Sequence, residues 1–93
     1  MTNKSITLNK IESVEIYSKS ACPFCVKAKR LLETHNIPYD EYIVGRDVSK
    51  EDIQTRVDAM GISVEVKTVP QIFALSNLEW FYIGGYTDLA KLS

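Results

Sequence analysis

The sequence has no strong excess of either charge and no long apolar run. Eleven Lys and Arg residues oppose twelve Asp and Glu residues, so the formal net charge is −1. This near-neutral balance gives no reason to expect nucleic acid or a membrane surface as a partner. No apolar stretch is long enough to span a bilayer, and residues 1–13 lack the apolar region of a signal peptide. We therefore expect a cytoplasmic protein in a reducing compartment.

Internal repeats and low-complexity tracts are also absent, and the composition is ordinary for a globular protein. A chain of 93 residues, of which 45% are hydrophobic, is long enough for one modest core. We expect a single domain over residues 1–93 that acts as a monomer. Residues 1–12 are interpreted as a loose N-terminal extension. The alternative for this segment is a short edge strand that contains Ile6 and Leu8.

Cysteine is scarce, and the two that are present both lie in Cys22-Pro23-Phe24-Cys25. At this separation on a helix, the two sulfurs lie close enough to form a disulfide with little backbone movement. Residues 14–17 are typical of a strand and residues 26–35 of a helix, so Cys22 falls at the helix N-terminus. Free N–H groups and the positive dipole end favour a thiolate there. The pattern predicts Cys22 as nucleophile and Cys25 as resolving cysteine.

Other roles for this pair are a zinc site, a structural disulfide and two buried core residues. Zinc needs about four Cys or His ligands, whereas the single histidine, His35, lies at the far end of the helix. We interpret His35 as a helix-end residue and not as a catalytic base. A structural disulfide closing so short a loop would constrain the unfolded chain little. Core cysteines remain an alternative, although a C-x-x-C within a strand-helix-strand pattern favours redox chemistry.

The apolar pattern predicts an α/β domain with the order β-α-β-α-β-β-α and a mixed four-stranded sheet flanked by helices. The predicted strands are residues 14–17, 39–44, 71–75 and 79–83. The first predicted helix is residues 26–35, and the second begins after a cap at Ser49 and ends near Gly61. The last helix starts at Thr87 or Asp88 and includes residues 89–92. A strand, a crossover helix and a second strand imply parallel pairing. Residues 62–66 are interpreted as an extended loop, and Ser76-Asn77 as the hairpin turn.

The first helix is predicted to have one buried face and defined ends. Cys25, Ala28, Leu31 and Leu32 recur at helical spacing and should face the core, which leaves Cys22 at the mouth of the site. Beyond the helix, Asn36 suits the left-handed conformation that ends many helices, and Pro38 prevents continuation.

Three motifs together resemble the glutaredoxins, a family with the thioredoxin fold. They are Cys22-Pro23-Phe24-Cys25, Thr68-Val69-Pro70 and Gly84-Gly85-Tyr86-Thr87-Asp88, and the resemblance covers about residues 13–92. It implies a dithiol enzyme that reduces protein disulfides and glutathione mixed disulfides through Cys22 and Cys25. Glutathione would be the co-substrate, with no metal and no tightly bound cofactor. Partners would be disulfide-containing or glutathionylated proteins, with ribonucleotide reductase as an analogy from the family.

The resemblance also implies a glutathione site. Its residues would be Lys19, Phe24, Lys50, Thr68, Val69, Pro70, Gly85, Thr87 and Asp88. A cis Val69–Pro70 bond would turn the Val69 backbone toward Cys22, where an extended peptide can pair with it. Gly85 allows close backbone approach, backbone N–H groups at the last helix can hold a carboxylate, and Asp88 can pair with an ammonium. The alternatives are an ordinary loop proline and a glycine turn with Thr87 or Asp88 as a helix cap.

Two lysines are the expected partners of the glycine carboxylate of glutathione. Lys19 would also help to hold a thiolate, and its alternative is a solvated lysine. Lys50 is assigned by counting along the second helix, with Gln54 and Arg56 as alternatives, because residues 58–65 are longer than the common pattern. Phe24 replaces a tyrosine common in the family, so a hydroxyl is not needed there.

Two other functions fit the same motifs. One is a glutaredoxin-like electron donor reduced by thioredoxin reductase; such proteins lack the glutathione contacts that residues 84–88 imply. The other is an iron–sulfur module in which Cys22 thiolates and glutathione from two subunits hold a cluster. Pro23 crowds the turn and argues against this arrangement.

Overall fold

The computed structural model describes residues 6–92, which fold around a mixed four-stranded sheet. The strands are β1 (Ser13–Ser18), β2 (Tyr39–Ile43), β3 (Gln71–Ser76) and β4 (Glu79–Gly84), and the helices are α1 (Pro23–Thr34), α2 (Lys50–Ala59) and α3 (Tyr86–Ala90). The strand order is β2-β1-β3-β4; β1 pairs with β2 in parallel, and the other pairs are antiparallel. The predicted fold class and element order are confirmed. Within residues 6–92, no helix has the length and apolar character to cross a membrane.

Helix α1 is the crossover between the two parallel strands, and its predicted buried face is confirmed except at Leu31, which is only partly buried. Cys25, Ala28 and Leu32 are at most 1% exposed. At the other end, His35 is the C-cap, as predicted, and Asn36 adopts the left-handed conformation with φ 57°. The Ile37 N–H then donates to the Leu32 carbonyl at 2.9 Å, so the chain folds back on the helix. These local bonds fix the direction in which β2 begins.

Alternation along the strands sends apolar side chains to both faces of the sheet, where two core clusters form. The first cluster packs β1 and β3 against α1 and α3, and it includes Val14, Ile16, Ile72, Ala74, Ala28, Leu32 and Leu89. The second packs the sheet against α2, and it includes Tyr17, Phe73, Ile53, Val57 and Val66. The sheet is therefore covered on both faces, and the loops at its ends are left to build a site.

Helix α2 is held at its start and along its inner face. The predicted Ser49 cap is confirmed: its hydroxyl accepts the Asp52 N–H at 3.1 Å, and Asp52 accepts the Ser49 N–H at 2.9 Å. These bonds lower the pKa of Asp52. Arg56 forms an ion pair with Glu15, and its guanidinium N–H donates to the Tyr17 hydroxyl oxygen at 3.0 Å. After α2, residues 62–67 form neither helix nor strand, as predicted.

The prediction for the N-terminal segment is wrong where the structure describes it. Ile6 and Leu8 form no edge strand; instead Leu8–Lys10 is a short 3₁₀ helix. The Leu8 side chain is 3% exposed, and its N–H donates to the Leu92 carbonyl at 3.3 Å. Ile11 is also buried, so burial of two apolar side chains packs the segment onto the core from Leu8 onward. Residues 1–5 of the predicted extension lie outside the described residues.

The predicted hairpin turn is displaced by one residue. Ser76 is the last residue of β3, and the two turn residues are Asn77 and Leu78, both with positive φ. Such a pair matches the right-handed twist of the flanking strands. Leu78 is apolar, so it was not an obvious turn residue, yet its side chain is 92% exposed.

The last helix is also displaced from its prediction. Helix α3 begins at Tyr86 and ends at Ala90, whereas a start at Thr87 or Asp88 and an end at Leu92 were expected. Gly85 is the N-cap, and Asp88 in the third helical position accepts the Gly85 N–H at 3.1 Å. Asp88 therefore stabilises the helix start from within the helix, and neither Thr87 nor Asp88 is the cap.

Candidate functional site

The two cysteines lie at the start of α1 in different environments. Cys22 is the N-cap residue and Pro23 occupies the first helical position. The Cys25 N–H donates to Cys22 Sγ at 3.2 Å, as it would to a capping oxygen. Cys22 is half-buried, whereas Cys25 is 1% exposed. The cysteines form a disulfide with Cα atoms 5.2 Å apart. Only the Cys22 sulfur is therefore open to a reactant.

The loop before β3 faces this sulfur. The Val69–Pro70 peptide bond is cis, as predicted. The Val69 carbonyl oxygen lies 3.9 Å from Cys22 Sγ. Within residues 6–92, the Val69 N–H donates to no backbone or side-chain acceptor. The Val69 backbone thus offers a donor and an acceptor beside the reactive sulfur, where an added strand can pair.

A large cavity opens between this loop and the glycine motif. We call it the main cleft; it has a volume of about 780 Å³. The predicted site residues that line it are Phe24, Thr68, Val69, Pro70, Gly85, Thr87 and Asp88. Phe24 is 53% exposed, and its ring centroid lies 6.1 Å from that of Tyr86. The cleft therefore has an aromatic rim at α1 and a carboxylate at α3.

The two predicted lysines line a smaller cavity on the other side of Thr68 and Val69. This lysine pocket has a volume of about 120 Å³ and is lined by Lys19, Lys50, Lys67, Thr68, Val69, Val44, Ile53 and Val66. Three lysines thus line this pocket together with apolar side chains. Lys67 also lines the main cleft, where its Nζ lies 3.7 Å from the Glu65 carboxylate. The arrangement favours an anionic group.

A third cavity, the dithiol cavity, has a volume of about 620 Å³, and Cys22 and Cys25 both line it. Its wall contains Lys29 and Glu41, and the Lys29 Nζ donates to the Glu41 carboxylate at 2.9 Å. The Ser18 hydroxyl donates to the same carboxylate at 2.5 Å. The Lys29 ammonium and the Ser18 hydroxyl lower the pKa of Glu41. The carboxylate beside the cysteines is therefore ionised and already paired.

The glycine motif brings backbone close to Asp88. Gly84 has φ 110°, and a Cβ at this position would lie 2.5 Å from Asp88 Oδ2. Burial, together with the Asp88 charge, raises the pKa of the nearby Tyr82. Glycine is required at position 84 both for its conformation and for the space that the carboxylate occupies.

Comparison with known proteins agrees with this geometry. The glutaredoxin family model matches residues 14–77. Glutaredoxin 1 of Rickettsia prowazekii is 36% identical over 90 residues, which cover 97% of this chain and 82% of that protein. The chain belongs to the glutaredoxin family. Family membership and the Cys22–Cys25 pair together establish a thiol–disulfide oxidoreductase.

Two further comparisons extend the likeness. The crystal structure of glutaredoxin 1 from Francisella tularensis superposes with a TM-score of 0.60 at 35% identity, covering 85% of this chain and 88% of that one. This confirms the thioredoxin-like fold. The hybrid peroxiredoxin hyPrx5 of Haemophilus influenzae is 39% identical over 80 residues, which cover 86% of this chain. The chain spans only 29% of that protein's length.

In this glutaredoxin the predicted glutathione residues line the main cleft and the lysine pocket, which share Thr68 and Val69. The two alternatives to Lys50 on α2 are already bonded to other groups. The Gln54 amide binds the backbone at Val64 and Val66, and the Arg56 guanidinium is paired with Glu15. Lys50 remains the predicted carboxylate partner on α2. In the described part of the chain, no three or more His, Cys, Asp or Glu side chains are grouped to hold a metal ion.

Sequence reasoning missed Lys67, the third cation of the lysine pocket. It directly precedes Thr68-Val69-Pro70 in this glutaredoxin. A basic residue next to the Thr68-Val69-Pro70 motif was a usable signal. Reasoning also missed Glu41 and Lys29, which meet beside Cys25 only because β2 lies next to β1.

We expect Gly84→Ala to destabilise the protein more than Gly45→Ala. Both glycines have positive φ, at 110° and 94°, so both variants carry backbone strain. Only at position 84 must the new Cβ displace Asp88 and disrupt its bond to Gly85, which adds about 1 kcal/mol. Urea denaturation measures the difference in the free energy of unfolding. Equal losses in the two variants would show that Asp88 is not constrained by Gly84.

Proposed function

We propose that this protein is a glutathione-dependent oxidoreductase that reduces protein disulfides and glutathione mixed disulfides. One observation carries the proposal: the accessible Cys22 sulfur lies 3.9 Å from the Val69 carbonyl oxygen, and the Val69 N–H has no acceptor within residues 6–92. Thr68 and Val69 form a wall shared by the main cleft and the lysine pocket. A tripeptide thiol extended along this wall would present its sulfur to Cys22.

The charges along the wall suit the two ends of glutathione. In this pose the cysteine backbone of glutathione pairs with Val69 as an added strand. The glycine carboxylate enters the lysine pocket beside Lys19 and Lys50, and the γ-glutamyl ammonium faces the Asp88 carboxylate in the main cleft. Opposite charges at the two ends set the direction in which the ligand lies. Phe24, Pro70, Gly85 and Thr87 complete the walls of the cleft.

Reduction of a substrate begins at Cys22. The thiolate attacks one sulfur of the substrate disulfide, a Cys22–substrate disulfide forms, and the other substrate sulfur leaves as a thiolate that takes a proton from water. The Cys25 N–H and the helix N-terminus stabilise the negative sulfur before the attack. Lys19, which lines the dithiol cavity, adds a positive charge nearby.

The fate of this mixed disulfide depends on the substrate. With a protein disulfide, the Cys25 thiolate attacks Cys22 Sγ and releases the reduced protein, which leaves the Cys22–Cys25 disulfide. One glutathione thiolate then attacks Cys22 Sγ and frees Cys25. A second attacks the bound glutathione sulfur, so glutathione disulfide departs and Cys22 is regenerated. With a glutathionylated protein, Cys22 takes the glutathione and Cys25 is not needed.

The remaining aspects of the role follow from the same chemistry. Glutathione supplies the electrons, so no tightly bound cofactor is required. The partners are disulfide-containing or glutathionylated proteins in a reducing cytoplasm, and ribonucleotide reductase is a candidate by family analogy only. Nothing in the exchange requires a second subunit, so we propose that the protein works as a monomer over residues 1–93.

A coupled assay tests glutathione dependence. The substrate is a small mixed disulfide of glutathione, and NADPH oxidation is followed with glutathione plus glutathione reductase. A parallel reaction contains thioredoxin reductase instead. We expect turnover only with the glutathione system, because the charged ends of glutathione match Asp88 and the lysine pocket. Turnover with thioredoxin reductase alone, or a brown protein on anaerobic purification with no turnover, would refute the proposal.

The cysteine roles predict a split between two substrates. Cys22→Ser should abolish both activities, because the remaining cysteine, Cys25, is only 1% exposed. Cys25→Ser should retain reduction of the glutathione mixed disulfide and lose most reduction of a protein disulfide, since the resolving thiol is gone. Initial rates with the two substrates measure the split. Equal loss of both activities in Cys25→Ser would contradict this division of roles.

Asp88→Ala should raise the KM for glutathione about tenfold, the factor that corresponds to about 1.4 kcal/mol of lost charge pairing. Because Asp88 also accepts the Gly85 N–H, the comparison includes Asp88→Asn, which retains an acceptor oxygen without the charge. Steady-state kinetics on both variants separates charge from structure. An unchanged KM in both would remove Asp88 from the glutathione site.

A further inference from the structure

The segment 62–70 carries much of the site but has no helix or strand to hold it. Its backbone is instead bonded by amide side chains. Gln54 Nε2 donates to the Val64 carbonyl at 2.8 Å, and the Val66 N–H donates to Gln54 Oε1 at 2.7 Å. At the other end, Gln71 Nε2 donates to the Thr68 carbonyl at 2.8 Å. Two glutamines thus supply bonds that a neighbouring strand would otherwise make.

Gln54 makes both of its segment bonds from α2, a regular element packed on the sheet. Its amide nitrogen also donates to Asp58 on the same helix at 3.0 Å, which fixes the orientation of the group. The Val66 side chain beneath it is 3% exposed and belongs to the cluster under α2. Side-chain packing at Val66 and the amide bonds therefore hold the same point of the segment.

The clamped residues themselves line the two cavities: Val64 lies in the wall of the main cleft and Val66 in that of the lysine pocket. Lys67 lies in both the main cleft and the lysine pocket, and Thr68 and Val69 follow it. Any shift of Val66 is transmitted to these three residues through the backbone. Because the Gln54 oxygen and nitrogen are both engaged, the amide is not free to bind a carboxylate in the lysine pocket.

We propose that Gln54 is a positioning residue for ligand binding: it clamps Val64 and Val66 so that Lys67, Thr68 and Val69 are preset for an extended, anionic thiol. The role rests on the proposed use of glutathione. Gln54 touches no reacting atom, so its loss changes binding and leaves the intrinsic reactivity of Cys22 intact. Preset geometry of this kind lowers the ordering cost that a ligand would otherwise incur.

The test compares Gln54→Met, of similar length but without the amide, with Thr55→Ala as a control. Thr55 is exposed, and its hydroxyl donates to the Glu51 carbonyl within α2 at 2.9 Å. Three quantities are measured on each protein: the hydrogen-exchange rate of the Val66 amide, KM and kcat for glutathione in the coupled assay, and the rate at which Cys22 reacts with 2,2′-dithiodipyridine. The last reagent has no carboxylate or peptide group and does not use the segment.

In Gln54→Met we expect faster exchange at Val66 and a KM for glutathione raised about fivefold, because both hydrogen bonds that hold the segment are lost. The kcat and the 2,2′-dithiodipyridine rate should match wild type. Thr55→Ala should match wild type in all three.

Two results overturn the inference. An unchanged KM in Gln54→Met, with Val66 exchange accelerated, would show that the clamp is structural only. A parallel fall in kcat and in the 2,2′-dithiodipyridine rate would show a general disturbance of α1 and not a positioning effect. If the wild-type protein shows no turnover with glutathione, the proposed function itself fails. If wild type is active and only the expected KM change in Gln54→Met is missing, the positioning role alone fails.

Discussion

The hydrogen bond from the Cys25 N–H to Cys22 Sγ links the start of α1 to the chemistry of the site. A helix leaves its first N–H groups without partners, and here Pro23 removes one of them. The sulfur takes the place that a capping oxygen fills in other helices. One local arrangement therefore starts the helix, stabilises a negative sulfur and, three residues later, buries the second cysteine. Helix initiation, thiolate stabilisation and burial of the second cysteine therefore all depend on the same few residues.

The rest of the site is assembled from irregular backbone held by side chains. Gln54 and Gln71 hold the segment before β3, and Asp88 holds the turn before α3. Irregular backbone keeps free N–H and C=O groups, as at Val69, that a sheet or helix would use internally. Side-chain bonds can fix such a segment without consuming the groups that a ligand needs. The rigid sheet contributes by positioning these side chains, and the ligand surface remains in the loops.

The features predictable from the sequence are those determined by near neighbours in the chain. The capping pair Ser49 and Asp52, the left-handed Asn36 and the Cys22-Pro23 helix start each depend on residues within a few positions. The cis bond before Pro70 and the placement of the site residues came instead from the family resemblance carried by three motifs. These signals were enough for the element order and for the dithiol.

Most of the missed contacts join distant parts of the chain. Leu8 is buried because Leu92 returns to it, and this contact has no local signature. Gln54 was considered as a ligand contact because its position on α2 was known, but the loop that occupies its amide was not. The start of α3 at Tyr86 is an exception, because it was missed although it depends on a local bond from the Gly85 N–H to Asp88. Local pattern thus predicts the elements, whereas partners of long polar side chains require the folded chain.

The packing of Arg56 has an optical consequence. Its guanidinium carbon lies 4.1 Å from the ring centroid of Phe73 and 5.1 Å from that of Trp80. Trp80 is the single tryptophan of the chain, and it lines none of the three cavities around the cysteines. The indole emission of this protein therefore originates on the α2 side of the sheet, beside a fixed positive charge. A change in that emission would therefore report a change in the packing of α2 against the sheet.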